Sequence, residues 1–306
     1  MITQLALLPS VKSIRLDRKL DKPRRLVGKI LALGAGVQSS TLVEMIVEGD
    51  LPRVDLVVFS DTGNEPFWVY DNVDYLQKRL FSIGITTAVA TNNVGLIEAV
   101  YGGDGRFATM PLFTKDVSGK VSQLRRQCTQ DFKITPMNNV VLDWMIHRYY
   151  AKRITDKNGR VSRRVHPSVA VEYWFGISLD EFERSGRNRG PAWQIAKYPL
   201  IEKRMTRAAC EQYLLNKNLP VPKKSSCIVC PFHDNNYWRD LKSNHPDLWN
   251  EACKFDEWLR TFEGRKRFWR IRDELYLHRS CVPLREVDFD QRTPLDHLIC
   301  GDHCFT

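Results

Sequence analysis

The stretch from Val27 to Glu48 reads VGKILALGAGVQSSTLVEMIVE, and the rest of the chain is organised around it. Its first part, Val27 to Leu33, is aliphatic and contains β-branched residues, which is typical of a buried strand. From Thr41 onward the apolar residues recur at helical spacing, so the pattern predicts a helix over 41–48. Between the two lies a glycine-rich turn, residues 34–40, which brings small side chains and two hydroxyls to the start of the helix.

This turn has the composition of an anion site. Small residues let the backbone approach a ligand closely, and the N–H groups at the start of a helix attract negative charge. The same composition also occurs in an ordinary strand-to-helix turn, and the turn alone does not separate the two interpretations. It is neither a Walker A loop nor a dinucleotide fingerprint, because it lacks Gly-Lys-Ser/Thr and a third glycine at the required offset.

The next segments repeat the strand–helix order. Arg53 to Ser60 is a second apolar strand, a helix opens at Glu65-Pro66, and Ile85 to Ala90 is a third strand. This alternation predicts an α/β fold, a parallel twisted sheet flanked by helices. Ligands of such sheets bind beyond the carboxyl ends of the strands, so Asp61, which follows the second strand, is expected at the same edge as the glycine-rich turn.

Composition indicates a globular protein with an anionic partner. The chain has 306 residues, 43% of them hydrophobic, and 46 Lys+Arg against 36 Asp+Glu give a net charge of +10. An excess of basic residues favours a nucleotide or a nucleic acid as partner. No apolar run approaches the ~20 residues of a membrane span, and no secretory signal is visible, so we expect a cytoplasmic protein with reduced cysteines and no membrane association.

We divide the chain into three parts: a basic N-terminal arm (1–26), a nucleotide-binding domain (27–222) and a mostly helical, cysteine-containing C-terminal region (223–306). Within the second part, residues 148–165 form a predicted basic hairpin centred on Asn158-Gly159, a strong two-residue turn signal. Residues 148–164 carry seven basic residues and one acid. The hairpin either contacts nucleic-acid phosphates or is simply solvated.

The eight cysteines fall into groups. Cys210 and Cys253 lie on apolar helical faces and are expected to be core thiols. The Cys227-x-x-Cys230 motif can hold a metal on one turn, and the chain ends in a further pair, Cys300 and Cys304. On spacing alone, four thiolates, or three with His233 or His303, suit zinc as well as an iron–sulfur cluster, and the absence of any metal is the third alternative.

Gly34 to Ser39 resembles the pyrophosphate loop of the ATP pyrophosphatase superfamily, Ser-Gly-Gly-x-Asp-Ser. The chain departs from that loop at Gly34, Ala35 and Gln38. Further segments, in the same order, resemble the phosphoadenosine phosphosulfate reductase branch of the superfamily. They are Asp61-Thr62-Gly63, Arg126-Gln127-Cys128 with Lys133 and Pro136, Gly176-Ile177-Ser178-Leu179-Asp180-Glu181 with serine in place of arginine, and Tyr198-Pro199-Leu200 with Leu219-Pro220. The resemblance covers Lys29 to His233.

The resemblance implies a PP-loop, adenine nucleotide alpha hydrolase-like fold and an enzyme that converts ATP to AMP and pyrophosphate. Such an enzyme adenylates a substrate for sulfur incorporation, as in DNA phosphorothioation or RNA thiolation. ATP and Mg²⁺ would be its cofactors, a nucleic acid its acceptor, and a protein such as a cysteine desulfurase its sulfur donor. The resemblance assigns ATP binding to Gly34, Ala35, Gly36, Gln38, Ser39, Ser40, Asp61, Thr62, Gly63 and Gly176. It assigns catalysis to Asp61, Arg126, Lys133, Asp180, Glu181 and Lys224.

The related reductases also bind a [4Fe-4S] cluster through a segment matching Cys128 and through a later CxxC. The resemblance therefore implies a cluster on Cys128, Cys227 and Cys230, with Cys300 or Cys304 as the fourth ligand and zinc as the alternative. Those reductases carry an adjacent cysteine pair where this chain has one cysteine.

Two other functions compete with ATP pyrophosphatase activity. One is reduction of a sulfonucleotide such as phosphoadenosine phosphosulfate, with Cys300 or Cys304 as nucleophile; the terminal Glu-Cys-Gly motif of that family is not reproduced, because Ile299 precedes Cys300. The other is a non-enzymatic, zinc-stapled nucleic-acid-binding protein. Release of pyrophosphate from ATP would distinguish the first function from both competitors, and release of sulfite would select the reductase.

Overall fold

A computed structural model describes residues 24–102, 109–187 and 190–290. Within these ranges the strands are β1 (Arg25–Leu33), β2 (Leu56–Asp61), β3 (Thr87–Thr91), β4 (Phe113–Lys115), β5 (Val121–Gln123), β6 (Ala151–Thr155), β7 (Val161–Val165), β8 (Val169–Phe175), β9 (Gln194–Lys197) and β10 (Glu274–Tyr276). The α-helices are α1 (Val37–Val47), α2 (Phe67–Ser82), α3 (Leu96–Gly102), α4 (Thr135–His147), α5 (Pro199–Glu202), α6 (Arg207–Asn216), α7 (Asn235–Asn244), α8 (Pro246–Trp258) and α9 (Phe262–Arg267). A π-helical turn, Gln130–Ile134, runs directly into α4. None of the helices in these ranges combines the length and the apolar character needed to cross a lipid bilayer.

Five parallel strands form the central sheet, in the order β3-β2-β1-β8-β9. In the centre, Ala32 of β1 lies opposite Val58 of β2 on one side and Phe175 of β8 on the other. The predicted α/β fold, a parallel sheet flanked by helices, is confirmed. Because the strands are parallel, the loops that follow β1, β2 and β8 all emerge at the same edge of the sheet.

The apolar run of β1 is explained by burial on both faces of the sheet. Leu31 and Leu33 point to the face covered by α1, α2 and α6. Ile30 and Ala32 point to the opposite face, where they join Val141 and other residues of α4. Successive side chains of a strand alternate between faces, so an uninterrupted apolar sequence is needed to fill both cores.

Helix α1 begins earlier than the sequence pattern predicts. The predicted helix spans 41–48, whereas α1 runs from Val37 to Val47. Gly36 is extended and precedes the helix, and its carbonyl accepts the first helical hydrogen bond, from the N–H of Ser40, at 3.0 Å. Residues 38–40 therefore form the first turn of the helix and not the loop before it.

The C-terminal region shares a core with the middle of the chain. One buried cluster joins Leu112 and Phe132 to Val229, Trp238 and Leu277. The predicted division at residue 222 therefore passes through a connected core. Residues 1–23 of the predicted arm, and Cys300 and Cys304, lie outside the described residues.

The predicted basic hairpin is confirmed as β6 and β7, which pair antiparallel. Its turn is longer than predicted. Asp156 N–H donates to the Arg160 carbonyl at 3.0 Å, so Lys157, Asn158 and Gly159 form a three-residue turn, with Gly159 at φ +76°. The Asp156 carboxylate accepts from the N–H groups of Asn158 and Arg160 at 2.8 and 2.9 Å, which stabilises the wider turn.

Candidate nucleotide cleft and cysteine pocket

The turn between β1 and α1 forms one wall of a cleft that is open to solvent, which we call the glycine-loop cleft. Its lining includes Gly34, Gly36, Gln38, Ser39, Gly176, Glu181, Arg184, Arg207, Lys224 and Ser225. The cleft opens at the carboxyl edge of the sheet, which is where the sequence placed the nucleotide site.

Hydrogen bonds to two carbonyls fix the shape of the turn. The Ser225 hydroxyl donates to the Gly34 carbonyl, and the Asn72 amide donates to the Ala35 carbonyl at 2.8 Å. Ala35 has φ +56°, the left-handed conformation that glycine adopts most easily. The resembled loop carries glycine at this position, so Ala35 keeps a glycine-like backbone conformation without being glycine.

The start of α1 presents N–H groups to the cleft. No side chain in the described ranges caps this helix end, and its first turn carries no acidic residue. The first N–H groups of a helix have no partner within the helix, and the helix dipole makes that end attractive to anions. Arg184, Arg207 and Lys224 add three cationic side chains to the lining of the same cleft. Together these features make it suited to a phosphate chain.

Gly176 lets β8 approach the turn closely. A Cβ atom added at Gly176 would lie 2.9 Å from the Ser39 nitrogen and 3.0 Å from the Ser39 Cα. The first distance is shorter than real Cβ contacts and the second is shorter than most of them, so any side chain at this position would displace the first turn of α1. Gly176, which the resemblance assigns to the nucleotide site, is thus required by the packing of β8 against α1.

The predicted acidic pair after β8 has two different roles. The Asp180 carboxylate accepts from the backbone N–H of Arg207 at 3.1 and 3.3 Å and so holds the start of α6. Asp180 itself does not line the cleft. Glu181 is buried, lines the cleft and binds the Arg184 guanidinium at 2.6 Å. Arg207 in turn donates to the Gln38 side chain at 3.4 Å.

Sequence reasoning missed Arg184 and Arg207. Arg184 could have been found from its spacing, because it follows Glu181 by one helical turn. Arg207 is the first residue of α6, after the capping Thr206, and nothing in the sequence links it to the glycine-rich turn.

Asp61, Thr62 and Gly63 lie at the predicted edge of the sheet but do not line the glycine-loop cleft. Asp61 Oδ1 accepts from the Gly63 N–H at 2.8 Å and from the Tyr70 hydroxyl at 2.9 Å. Burial, and next the hydrogen bond to Asp61, raise the pKa of Tyr70. Tyr70 therefore stays protonated and acts as a donor to this carboxylate.

A second pocket gathers three cysteines, and we call it the cysteine pocket. Its lining includes Thr62, Arg126, Cys128, Lys133, Cys227, Cys230 and Phe232. The structure thus brings Cys128 to the CxxC motif, from a segment about one hundred residues earlier in the sequence. Arg126 and Lys133, which the sequence placed beside the phosphates, lie at this pocket, and only Lys224 of the three predicted cations lines the glycine-loop cleft.

A buried polar chain runs along the wall of the cysteine pocket. The Thr62 hydroxyl lies 3.1 Å from Cys227 Sγ and 3.1 Å from Glu65 Oε1. Lys133 Nζ lies 3.6 Å from the same Glu65 oxygen, and both side chains are almost fully buried. Glu65 was not identified from sequence, where it marks only the start of a helix. Its carboxylate explains how a lysine can be buried in this position.

The CxxC loop is held by Asn64 and His233. The Asn64 carbonyl accepts from the Ile228 N–H at 2.8 Å, and its side-chain oxygen accepts from the Val229 N–H at 3.2 Å. His233 Nε2 lies 2.8 Å from the Cys227 carbonyl, and its Nδ1 lies 3.5 Å from the Ser226 hydroxyl. Burial, and next the nearby Lys224, lower the pKa of His233. A neutral His233 therefore braces this loop, with both ring nitrogens engaged by neighbours and not directed at a metal.

The remaining described cysteines are core residues. Cys210, Cys253 and Cys281 are buried, and burial raises the pKa of each thiol to about 12. Burial of Cys210 and Cys253 was predicted and is confirmed. A thiol with such a pKa stays protonated at neutral pH and is a poor nucleophile and metal ligand.

One short segment connects the two cavities. Lys224 and Ser225 line the glycine-loop cleft, and Cys227 and Cys230 line the cysteine pocket. In the part of the chain that the structure describes, no three His, Cys, Asp or Glu side chains are arranged to hold a metal ion. The predicted fourth ligands, Cys300 and Cys304, and the alternative His303 lie outside that part.

No protein-family model and no curated protein matches the chain.

Proposed function

We propose that this protein is a PP-loop ATP pyrophosphatase that adenylates a nucleic acid for sulfur incorporation, as in DNA phosphorothioation or RNA thiolation. The observation that carries the proposal is the connection of the glycine-loop cleft to the cysteine pocket through the segment from Lys224 to Cys230. An enzyme of this class must hold a triphosphate and receive sulfur at neighbouring positions. The sulfur donor would be a protein such as a cysteine desulfurase.

The cleft residues support a role in triphosphate binding. The free N–H groups of α1 and the cations Arg184, Arg207 and Lys224 would hold the phosphates. Glu181 keeps the Arg184 guanidinium in position through its 2.6 Å ion pair. In adenylation a substrate oxygen attacks the α-phosphorus, and the bond to the departing pyrophosphate breaks. Fixed cations would stabilise the charge that develops on the leaving group.

Asp61 suits a magnesium ligand. Its Oδ1 is engaged by Gly63 and Tyr70, and its Oδ2 has no hydrogen-bond partner among the described residues. Asp61 lies at the same edge of the sheet as the cleft, and a carboxylate oxygen is the kind of donor that Mg²⁺ prefers. A bound Mg²⁺ would supply charge neutralisation on the phosphates.

The donor set of the cysteine pocket fits a [4Fe-4S] cluster or zinc in chemistry, because three thiols line one cavity. The fit in geometry is incomplete, since no three ligands are arranged around one point within the described residues. A bound cluster would supply a soft centre that accepts sulfide, whereas zinc would be structural. The chain's own contribution is to hold Cys227 beside Thr62 and Glu65, next to the cleft.

Pyrophosphate release tests the proposal. The full chain, incubated with ATP, Mg²⁺, nucleic acid and a sulfide source, should release AMP and pyrophosphate. Arg207→Ala and Lys224→Ala should each lower kcat/KM about 10- to 100-fold, the effect of losing one charge-assisted hydrogen bond. Lys223→Ala is the matched control, because Lys223 pairs with Asp240 and lies over Trp68, outside the lining of the cleft. Its activity should remain at the wild-type level.

Other outcomes would contradict the proposal. Release of sulfite from phosphoadenosine phosphosulfate without pyrophosphate release from ATP would select the sulfonucleotide reductase. Nucleic-acid binding with neither activity would select the non-enzymatic alternative.

A further inference from the structure

A groove of about 310 Å³ lies at the base of the basic hairpin, and we call it the hairpin-base groove. Its lining includes Tyr149, Tyr150, Lys152, Arg164 and His166. The groove is far from the glycine-loop cleft. It adjoins the start of β8, where Val169 pairs with Arg25, whereas the cleft lies at the other end of β1. A nine-residue strand spans about 30 Å.

Tyr149 occupies a position that favours glycine. It follows the C-terminus of α4 with φ +60°, and its N–H donates to the Ile146 carbonyl at 3.0 Å. The residue after a helix often adopts this conformation, and a side chain there is unfavourable for anything bulkier than glycine. The Tyr149 side chain is 95% exposed. It makes no hydrogen bond and no ring contact with the described residues, so the fold itself gains nothing from this ring.

Lys152 and Arg164 face each other across the hairpin. They are directly opposite in the strand register, an arrangement in which like charges repel. Neither has an acidic partner among the described residues. The two neighbouring arginines differ, because Arg153 and Arg163 both bind Asp143 of α4, at 3.1 and 2.9 Å. Arg153 and Arg163 thus fasten the hairpin to α4 through Asp143, whereas Lys152 and Arg164 can attract an anion.

His166 contributes a donor to the same groove. Its Nδ1 accepts from the Ser168 N–H at 3.3 Å and lies 2.7 Å from the Ser168 hydroxyl. Because Nδ1 accepts from Ser168, Nε2 carries the ring proton and can donate a hydrogen bond.

We propose that the hairpin-base groove binds one unpaired nucleotide of a single-stranded nucleic acid, with the base stacked on Tyr149 and the phosphate between Lys152 and Arg164. An exposed ring beside unpaired cations is the combination by which proteins hold single strands. A base in a duplex is already stacked between its neighbours, so it cannot stack on the Tyr149 ring. This inference extends the proposed function, because it states that the acceptor nucleic acid is single-stranded. It rests on the proposed function for the reaction that follows binding, whereas binding at the groove itself needs no ATP.

Binding of labelled oligonucleotides, measured by fluorescence anisotropy without ATP, tests the inference. The probes are oligothymidylate, oligouridylate and a duplex of the same length, and the two single strands distinguish DNA from RNA. Tyr149→Gly should weaken single-strand binding about 5- to 150-fold, the range of one lost stacking contact. The melting temperature should stay the same or rise, because glycine suits φ +60°.

Three variants serve as controls. Tyr149→Phe keeps the ring and should bind like the wild type. Phe81→Ala removes a ring that is 83% exposed elsewhere and should change nothing. Replacing both Lys152 and Arg164 by Gln should flatten the salt dependence of binding by about 0.7 in log–log slope, the value for the one phosphate that they share. Arg163→Gln should flatten it less, because Asp143 holds Arg163.

Wild-type affinity in Tyr149→Gly, or duplex binding equal to single-strand binding, would overturn the inference. Single-strand binding that depends on Tyr149, without pyrophosphate release from ATP, would refute the proposed reaction and leave the groove assigned. Pyrophosphate release together with binding that is indifferent to Tyr149 would refute the groove alone.

Discussion

Single residues set the shape of the glycine-loop cleft. Ala35 holds a left-handed backbone conformation at the first bend, and Gly176 allows β8 to touch the first turn of α1. Gly36, by contrast, is extended at φ −92°, and a Cβ added there would meet only Ser225 Cβ, at 3.6 Å. Gly176 is therefore required because a side chain there would collide with α1. Gly36 meets no such obstacle, and a side chain there would only fill space that a ligand would occupy.

Gly176→Ala should lower the free energy of unfolding by about 1–3 kcal/mol, the usual cost of overpacking a close contact, and should also weaken ATP binding. The added methyl group would push the first turn of α1 out of place, and the melting temperature should fall with the affinity. Isothermal titration with a non-hydrolysable ATP analogue and thermal unfolding measure the two effects.

Substitutions at Gly36 separate the effect on nucleotide binding from the effect on stability. Gly36→Ala should keep the wild-type melting temperature, and Gly36→Leu should abolish nucleotide binding while the chain remains folded, because its side chain fills the cleft. Unchanged nucleotide affinity in both Gly176→Ala and Gly36→Leu would move the nucleotide site elsewhere.

At the scale of elements, the hairpin is fastened to α4 through Asp143. This carboxylate accepts from Arg163 at 2.9 and 3.0 Å and from Arg153 at 3.1 Å. The hydrogen bond from Arg163 lowers the pKa of Asp143, partial burial opposes it, and Arg153 lowers the pKa further. One acidic residue therefore fixes the orientation of two strands.

Asp143→Asn should lower the free energy of unfolding by about 0.5–1 kcal/mol at pH 7, because the pair is partly exposed. When folding lowers the pKa of a carboxyl group, that group stabilises the fold at every pH above its ordinary pKa. This contribution is lost as the pH falls through the lowered pKa. The difference in the free energy of unfolding between Asp143→Asn and the wild type should therefore shrink once the pH falls below 3.8, the ordinary pKa of an aspartate, and should vanish at still lower pH. Urea unfolding at pH 7 and at pH 3 or lower measures it.

Asp74→Asn is the control for this effect. Asp74 forms an exposed pair with Lys78 within one helix, with side chains 63% and 74% exposed, so its loss should cost less than 0.5 kcal/mol. Equal effects of the two variants, or an Asp143 effect that is independent of pH, would show that Asp143 does not fasten the hairpin.

At the scale of the whole molecule, the cysteine pocket is assembled from distant segments. Thr62 comes from the end of β2, Cys128 from the segment before α4, and Cys227 and Cys230 from the loop before α7. The buried cluster that joins the middle of the chain to the C-terminal region holds these segments together. The pocket therefore depends on the complete fold and not on a local motif.

If the pocket holds an iron–sulfur cluster, Cys128→Ser, Cys227→Ser and Cys230→Ser should each lose iron. Cys210→Ser and Cys253→Ser should retain it, because their buried thiols have a pKa of about 12 and do not line the cysteine pocket. Iron and sulfide analysis with ultraviolet–visible spectra of anaerobically purified protein measures the content. Zinc in place of iron would select the structural alternative, and full iron retention in Cys128→Ser would exclude the shared site. Iron loss in only one of Cys300→Ser and Cys304→Ser would identify the fourth ligand.

The sequence by itself determined the strand–turn–helix around Gly34–Ser40, the parallel order of the first three strands, the basic hairpin and the burial of Cys210 and Cys253. These features follow from local periodicity and from turn residues, whose physical causes act between near neighbours in the chain. The tertiary structure alone decided that Arg207 lines the cleft, that Lys133 pairs with Glu65, and that Arg163 is occupied by Asp143 while Arg164 is not. Each of these depends on contacts between residues far apart in sequence, and a single sequence carries no periodic signal for such contacts.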